Sequence, residues 1–258
     1  MRGAMTTTAI ILAAGKGTRM NSDLPKVLHE VCGRTMLGYV LEACSDAGCD
    51  RLVCVVGYKA DMVRRAFADN DSIAWVEQAP QLGTGHAVMV CRDELARLRG
   101  SVVVVAGDGP LIRGATLREL LDKHTESAAA CTLATCILPD PARYGRICRN
   151  EDGELVGIVE YLDADEAQRK NHEVNVSLYC FDAAALREVL DKLTNDNAKG
   201  EYYLTDAVEL LRSAGCKITA VPAVPPEEVV SINTLDELEQ VGGILAARSH
   251  GCGENSDG

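Results

Sequence analysis

Aromatic residues are scarce in this chain: they make up 4% of 258 residues, with one Trp and two Phe. A stacking platform for single-stranded nucleic acid needs more rings than that. Basic residues are also in deficit, 26 Lys and Arg against 38 Asp and Glu, for a formal net charge of −12. So acidic a surface repels phosphate backbones, so no nucleic-acid partner is expected, and an anionic substrate would need a local cluster of cations. No stretch reaches the roughly 20 apolar residues of a membrane span. The opening Met1-Arg2-Gly3-Ala4-Met5 lacks the long apolar region and cleavage site of a secretory leader. There is no Cys-x-x-Cys pair among the 11 cysteines, which argues against a zinc site or a disulfide framework. Most thiols sit in apolar runs such as Leu52-Val53-Cys54-Val55-Val56 and read as small, reduced, buried hydrophobes of a soluble cytoplasmic protein.

What is present is an alternation. Segments 8–13, 51–56, 73–77 and 101–106 are short β-branched runs, and helical spacing fills 36–47, 59–68, 84–98 and 116–125. Strands as apolar as Val102-Val103-Val104-Val105 are buried on both faces, as in a parallel sheet covered by helices. The pattern is that of a doubly wound α/β chain, whose ligand site lies beyond the carboxyl ends of the strands. The second half is more mixed, with strands expected over 130–138, 145–149, 155–160, 174–181 and 217–222 and helices over 183–193 and 205–214. A last helix over 234–248 has Asn233 or Thr234 as its cap, and the glycine-containing tail 249–258 is expected to be disordered.

The strongest local signal follows the first strand: Leu12-Ala13-Ala14-Gly15-Lys16-Gly17-Thr18-Arg19-Met20. Small residues and glycines let the backbone approach a ligand and turn its N–H groups toward anionic oxygens. Lys16, Arg19 and Lys26 supply the local cations that an acidic chain needs to hold phosphates. The loop is not a dinucleotide fingerprint, because Met20 stands where glycine is required, and it lacks the first glycine of a Walker loop. A bare Gly-x-Gly turn also occurs as a plain strand–helix connection.

Leu12 through Met20, followed by Asp23-Leu24-Pro25-Lys26-Val27-Leu28, resembles the signature of sugar-phosphate nucleotidyltransferases. Within them it is most similar to the uridylyltransferase domain of the bacterial bifunctional N-acetylglucosamine-1-phosphate uridylyltransferase/glucosamine-1-phosphate acetyltransferases. Further landmarks follow in the same order: Gln78, Gln81-Leu82-Gly83-Thr84-Gly85, Gly107-Asp108, Tyr144-Gly145-Arg146-Ile147, Gly157-Ile158-Val159-Glu160, Glu173-Val174-Asn175, Gly200 to Asp206, and Asn233. The resemblance extends over residues 6–248. It implies a nucleotide-diphospho-sugar transferase fold, a Rossmann-like, mostly parallel sheet with an inserted sugar-binding lobe. The implied domain is 6–233, followed by the helix at 234–248.

The resemblance also assigns roles. The substrates would be UTP and a sugar 1-phosphate, N-acetylglucosamine 1-phosphate in the first instance, and the cofactor Mg²⁺. The reaction demands that two anions be held in line and that charge on bridging and leaving oxygens be neutralised. Arg19, Lys26 and Asp108 are the implied catalytic residues, with Arg19 toward the β/γ-phosphates and Lys26 toward the α-phosphate. Leu12, Ala13, Ala14, Gly15, Gln78, Gln81, Gly83, Thr84, Ala106 and Gly107 would hold the nucleotide. Gly145, Glu160 and Asn175 would face the sugar, and Asp108 with Asn233 would hold the metal. His86, on the following helix, reads as packed rather than catalytic.

Several positions depart from the family pattern. Ala106 stands where Tyr is common, Gly109 where a larger apolar residue is usual, and Leu162 where the family has Lys. Val176-Ser177 replaces Thr-Gly in the sugar segment. No hexapeptide repeat follows the last helix, so acetyltransferase activity is not expected of this sequence. Two other readings stay open on these residues: a different sugar 1-phosphate or triphosphate, and a catalytically weak paralogue that binds a nucleotide sugar.

Overall fold

A computed structural model describes residues 6–251. Strand β1 (Thr6–Ala13) leads through the glycine loop to a short hairpin, β2 (Glu30–Val31) and β3 (Arg34–Thr35), and then to α1 (Met36–Asp46). Next come β4 (Arg51–Val56), α2 (Ala60–Ala66), β5 (Ile73–Glu77), α3 (Thr84–Met89), α4 (Arg92–Arg97), β6 (Gly100–Ala106), α5 (Gly114–Ser127) and β7 (Cys131–Ile137). The remainder comprises β8 (Gly145–Arg149), β9 (Leu155–Val159), α6 (Glu166–Arg169), β10 (Glu173–Asp182), α7 (Ala183–Leu190), α8 (Thr205–Ser213), β11 (Ile218–Val221) and α9 (Leu235–Gly251).

Parity along the strands decides the layering. Ala9, Ile11, Cys54, Val103 and Val105 face one way, against Leu37, Val40 and Cys44 of α1 and Leu117 and Leu120 of α5. Ile10, Val53, Val55, Val102 and Val104 face the other way, against Val88 of α3, Leu95 of α4, Leu186 of α7 and Val208 of α8. A strand with apolar residues at both parities therefore belongs in the middle of three layers. A third cluster, Met20, Val31, Met36, Leu111, Ile232, Val241 and Leu245, seats α9 on the hairpin side.

The main sheet runs β11-β7-β10-β6-β1-β4-β5, with β8 paired to β10 and β9 to β8. β1, β4, β5 and β6 are mutually parallel, and β10 is antiparallel to both β6 and β7. β1 is flanked by β6 on one side and β4 on the other, so the order reverses there. The crevice at its carboxyl end is the switch point at which open α/β sheets bind ligands. The antiparallel course of β10 has a second consequence: its first residues, not its last, reach that same end of the sheet.

Differences from the sequence expectations are local. The single helix expected over 84–98 is two, α3 and α4, with Val90 and Cys91 outside both. Ala87, Val88, Cys91 and Leu95 nevertheless share one buried cluster, so the pair bends over the sheet without changing its apolar face. The hairpin was not expected from the sequence. Cys32 (φ 50°) and Gly33 (φ 76°) are its two turn residues, the positive-φ pair that a tight antiparallel turn requires. α9 extends past 248 to Gly251, so 249–251 are helical rather than disordered, and the rest of the expected tail lies outside the described residues. Its cap is a reciprocal pair: Glu237 N–H donates to Thr234 Oγ1 (3.2 Å), and Thr234 N–H to Glu237 Oε2 (2.8 Å). Among the described residues no helix is long and apolar enough to cross a membrane.

Candidate active site

Two cavities lie at the carboxyl end of the sheet and share Leu12 as a wall. The larger, about 350 Å³, is lined by the glycine loop from Leu12 to Arg19 together with Lys26, Gln81, Asp108 and Asn233. Leu12 pairs with Ala106 in the parallel register, and the Gly107 N–H donates to Leu12 O (2.9 Å). This lays the chain from Gly107 to Asp108 beside the loop. Ala14 is buried behind it and accepts from Tyr58 N–H (3.0 Å).

Lys26 is not the solvated loop cation that an isolated Lys would be. It is 8% exposed, and its stem packs on Gly17, where a Cβ would stand 2.7 Å from Lys26 Cβ. Gly17 also has φ 68°, so the loop needs glycine there twice over. From this berth Lys26 Nζ donates to Asp108 Oδ2 and to Asn233 Oδ1 (2.7 Å), while Arg19 Nη2 donates to the same Asn233 oxygen (2.9 Å). Asn233 Nδ2 donates to Ser231 O (3.1 Å), which turns Oδ1 toward the cations. The backbone contact of Ile232 N–H with Asp108 O (3.2 Å) brings this distant segment into the site.

Arg19, Lys26, Asp108 and Asn233 thus converge from four parts of the chain. An acidic molecule concentrates Lys16, Arg19 and Lys26 around one cavity, an arrangement suited to a polyphosphate. Tyr58, which the sequence reading missed, has the ammonium groups of Lys16 and Lys59 over its ring at 5.3 and 5.4 Å. Asp108 and Asn233 offer two hard oxygens, and a cationic group, the Lys26 ammonium, is already held between them. That donor set fits Mg²⁺, which is commonly held by one or two protein carboxylates and completed by phosphate oxygens and water.

Gln78 is buried, and its amide nitrogen donates to Gly83 O (2.9 Å) and lies 3.1 Å from His86 Nδ1. His86 therefore orients Gln78, in keeping with a packed rather than catalytic histidine. Gly83 has φ 105°, and a Cβ there would stand 2.6 Å from Tyr202 O. Tyr202 N–H donates to Leu82 O (2.8 Å), Gly85 N–H to Tyr202 O (2.7 Å) and Leu204 N–H to Thr84 Oγ1 (3.1 Å). The two family-like segments, 81–85 and 200–206, are thus one interlocked unit. The Thr84 hydroxyl serves Leu204 and not the end of α3.

The smaller cavity, about 130 Å³, is lined by Leu12, Thr84, Glu160, Ser177, Tyr179, Lys199, Glu201, Tyr203, Leu204 and Thr205. Gly145 lies beneath it, where a Cβ would be 3.6 Å from Glu160 Oε1. Asn175, 2% exposed, sits behind the wall: its Nδ2 donates to the Tyr179 hydroxyl (2.6 Å) and its Oδ1 accepts from Ser177 N–H (3.3 Å). Burial raises the Glu160 carboxyl above its ordinary value, opposed by the Lys199 charge and a Thr205 hydroxyl contact and reinforced by Asp163 and Asp206. Burial and the neighbouring carboxylates push Tyr203 up to about 12. Ser177, Tyr179 and Lys199 were not candidates in the sequence reading. They reach the cavity only because of the bulge between Asn175 and Tyr179 and the loop before α8.

The chain is 46% identical over 234 residues to the bifunctional protein GlmU of Geobacter metallireducens, covering 91% of this chain and 49% of that protein. With the protein of the same name from Heliobacterium modesticaldum it shares 44% over 241 residues, covering 93% and 52%. The chain therefore spans about half the length of the curated relatives it matches. In fold it is similar to UDP-glucose pyrophosphorylase solved with UDP-glucose, at a TM-score of 0.77 and 16% identity over 95% of this chain and all of the other. Residues 9–198, which carry the glycine loop, Lys26, Gln78, Asp108, Glu160 and Asn175, match the MobA-like NTP transferase domain. The chain belongs to the MobA-like NTP transferase family.

Proposed function

We propose that this chain joins UTP to N-acetylglucosamine 1-phosphate, producing UDP-N-acetylglucosamine and pyrophosphate. The observation that carries the reading is the cluster at the switch point, in which Asp108 and Asn233 hold Lys26 Nζ beside Arg19 and the glycine loop. The resemblance to the uridylyltransferase domain, and the relatives named bifunctional protein GlmU, support the choice of triphosphate and sugar.

An oxygen of the sugar phosphate attacks the α-phosphorus of UTP. The bond from that phosphorus to the bridging oxygen breaks, and pyrophosphate leaves with the electron pair. No side chain needs to become covalently attached, so catalysis is positioning plus neutralisation. Lys26, fixed in its buried berth, meets the charge on the α-phosphate, and Arg19, on the open side, meets the β- and γ-phosphates. The backbone from Leu12 to Gly15 holds the nucleotide without reorganising. Asp108 and Asn233 would hold Mg²⁺, which would supply further neutralisation of phosphate oxygens. Glu160 and the Tyr179 hydroxyl receive the sugar in the adjoining cavity.

The test is pyrophosphate release from UTP, N-acetylglucosamine 1-phosphate and Mg²⁺, omitting each in turn and replacing UTP by CTP or dTTP. Release should require all three components and fall about a hundredfold or more with CTP, whose 4-amino group and N3 acceptor reverse the uracil edge and leave buried groups unpaired. Release with another sugar phosphate or triphosphate, and none with this pair, would contradict the proposed substrates.

A further inference from the structure

The smaller cavity contains a charge arrangement that substrate assignment alone does not explain. Glu160 is half-buried, and its contact with the Thr205 hydroxyl is long, at 3.4 Å. The other titratable groups around it are Asp163 after β9, Asp206 on α8, Glu201 and Tyr203 before α8, and Tyr179 on β10. The carboxylates among them disfavour a charged Glu160. Against them stands Lys199, which lines the same cavity from the loop before α8 with Nζ 5.8 Å from the Tyr203 ring centre. Among the described residues Lys199 makes no ion pair within 4.0 Å, so no carboxylate in direct contact neutralises the charge it brings to the cavity.

We propose that Lys199 is a positioning residue for the sugar side: it holds Glu160 in the ionised, acceptor-only state, and so selects substrates that present hydroxyl or amide donors to that carboxylate. An ionised carboxylate accepts from such donors at both oxygens, whereas a protonated one must place a donor of its own. A sugar offering two donors at this point gains from the charged form alone. The direction of the Glu160 shift follows the same balance, with burial raising it and Lys199 lowering it. Because Lys199 is exposed, its influence weakens as salt screens it. The inference rests on the function proposed above for its substrate, but not for the state of Glu160.

The experiment therefore has two arms. In the first, the Glu160 carboxyl is followed by carbon NMR against pH in the full chain and in Lys199→Met and Lys199→Arg, with Glu160→Gln identifying its signal. Glu160 should titrate at higher pH in Lys199→Met and return toward the original midpoint in Lys199→Arg; coincident curves in all three would overturn the proposal. In the second, KM for N-acetylglucosamine 1-phosphate is measured from about pH 5 to about pH 8. At the acid end Lys199→Met should raise it roughly three- to tenfold, with KM for UTP unmoved and Lys199→Arg restoring the profile. A KM profile that superimposes on that of the original chain, despite a shifted Glu160, would overturn the selection role. If this sugar phosphate is not turned over, the function proposed above fails and the NMR arm still decides the state of Glu160.

Discussion

At the scale of single residues, Gly17 carries the most stringent demand in the phosphate loop. Its φ of 68° and the 2.7 Å approach to Lys26 Cβ leave no room for a side chain, because the obstructing atom is the root of the Lys26 side chain and not its flexible end. Gly17→Ala should cost about 1–2 kcal/mol of stability, read by urea titration. It should also lower kcat/KM about ten- to a hundredfold by displacing Lys26, read by pyrophosphate release. Unaltered turnover in a destabilised variant would separate the loop geometry from catalysis. Lys26 itself was legible from Leu24-Pro25-Lys26, but its burial was not. That depends on a glycine several residues upstream and on Asp108 and Asn233, which reach it only through the fold.

At the scale of elements, the sheet was readable because parity and β-branching coincide: Val102 to Val105 have no polar face and can only be a central strand. The α3–α4 break was not readable, because Ala87, Val88, Cys91 and Leu95 keep helical spacing straight through it. The direction of β10 escaped the sequence for a similar reason, since alternation is the same for parallel and antiparallel neighbours. Its reversal and its bulge carry Ser177 and Tyr179 to the smaller cavity, with Ser177 at φ 56°. Elsewhere an unanticipated acid anchors a helix. Glu228, 4% exposed, accepts from Arg113 N–H (3.1 Å), Arg113 Nε and the Thr116 hydroxyl (2.7 Å) at the start of α5. Glu228→Ala removes all three bonds and should cost about 2–4 kcal/mol in a urea titration, with kcat of the folded fraction retained. A loss under about 0.5 kcal/mol would show the cluster to be dispensable.

At the scale of the whole molecule, an acidic surface surrounds one cationic cavity, and groups lowered and raised by their surroundings respond to acid in opposite senses. His124 is lowered by burial, and Glu173 is lowered by the Arg149 guanidinium and the Thr135 hydroxyl. Both contribute stability that is complete above their unfolded values and is lost as pH falls through their folded ones. Glu160 and Asp206 are raised by burial, and their contribution has the opposite sense, present at low pH and lost as pH rises through their folded values. Tm should therefore decline on acidification from about pH 6.5, and His124→Gln should remove part of the early decline, His29, also lowered by burial, carrying the rest; an unchanged slope in that variant would exclude His124 as a source. The proposed nucleotidyl transfer depends on charge at the switch point, the Lys26 ammonium between Asp108 and Asn233. Its most direct test is kcat/KM for pyrophosphate release in Lys26→Met, which keeps the buried stem and removes the ammonium. A fall of about a hundredfold or more, with circular dichroism unchanged, is the predicted result; turnover within about threefold of the original chain would contradict the claim.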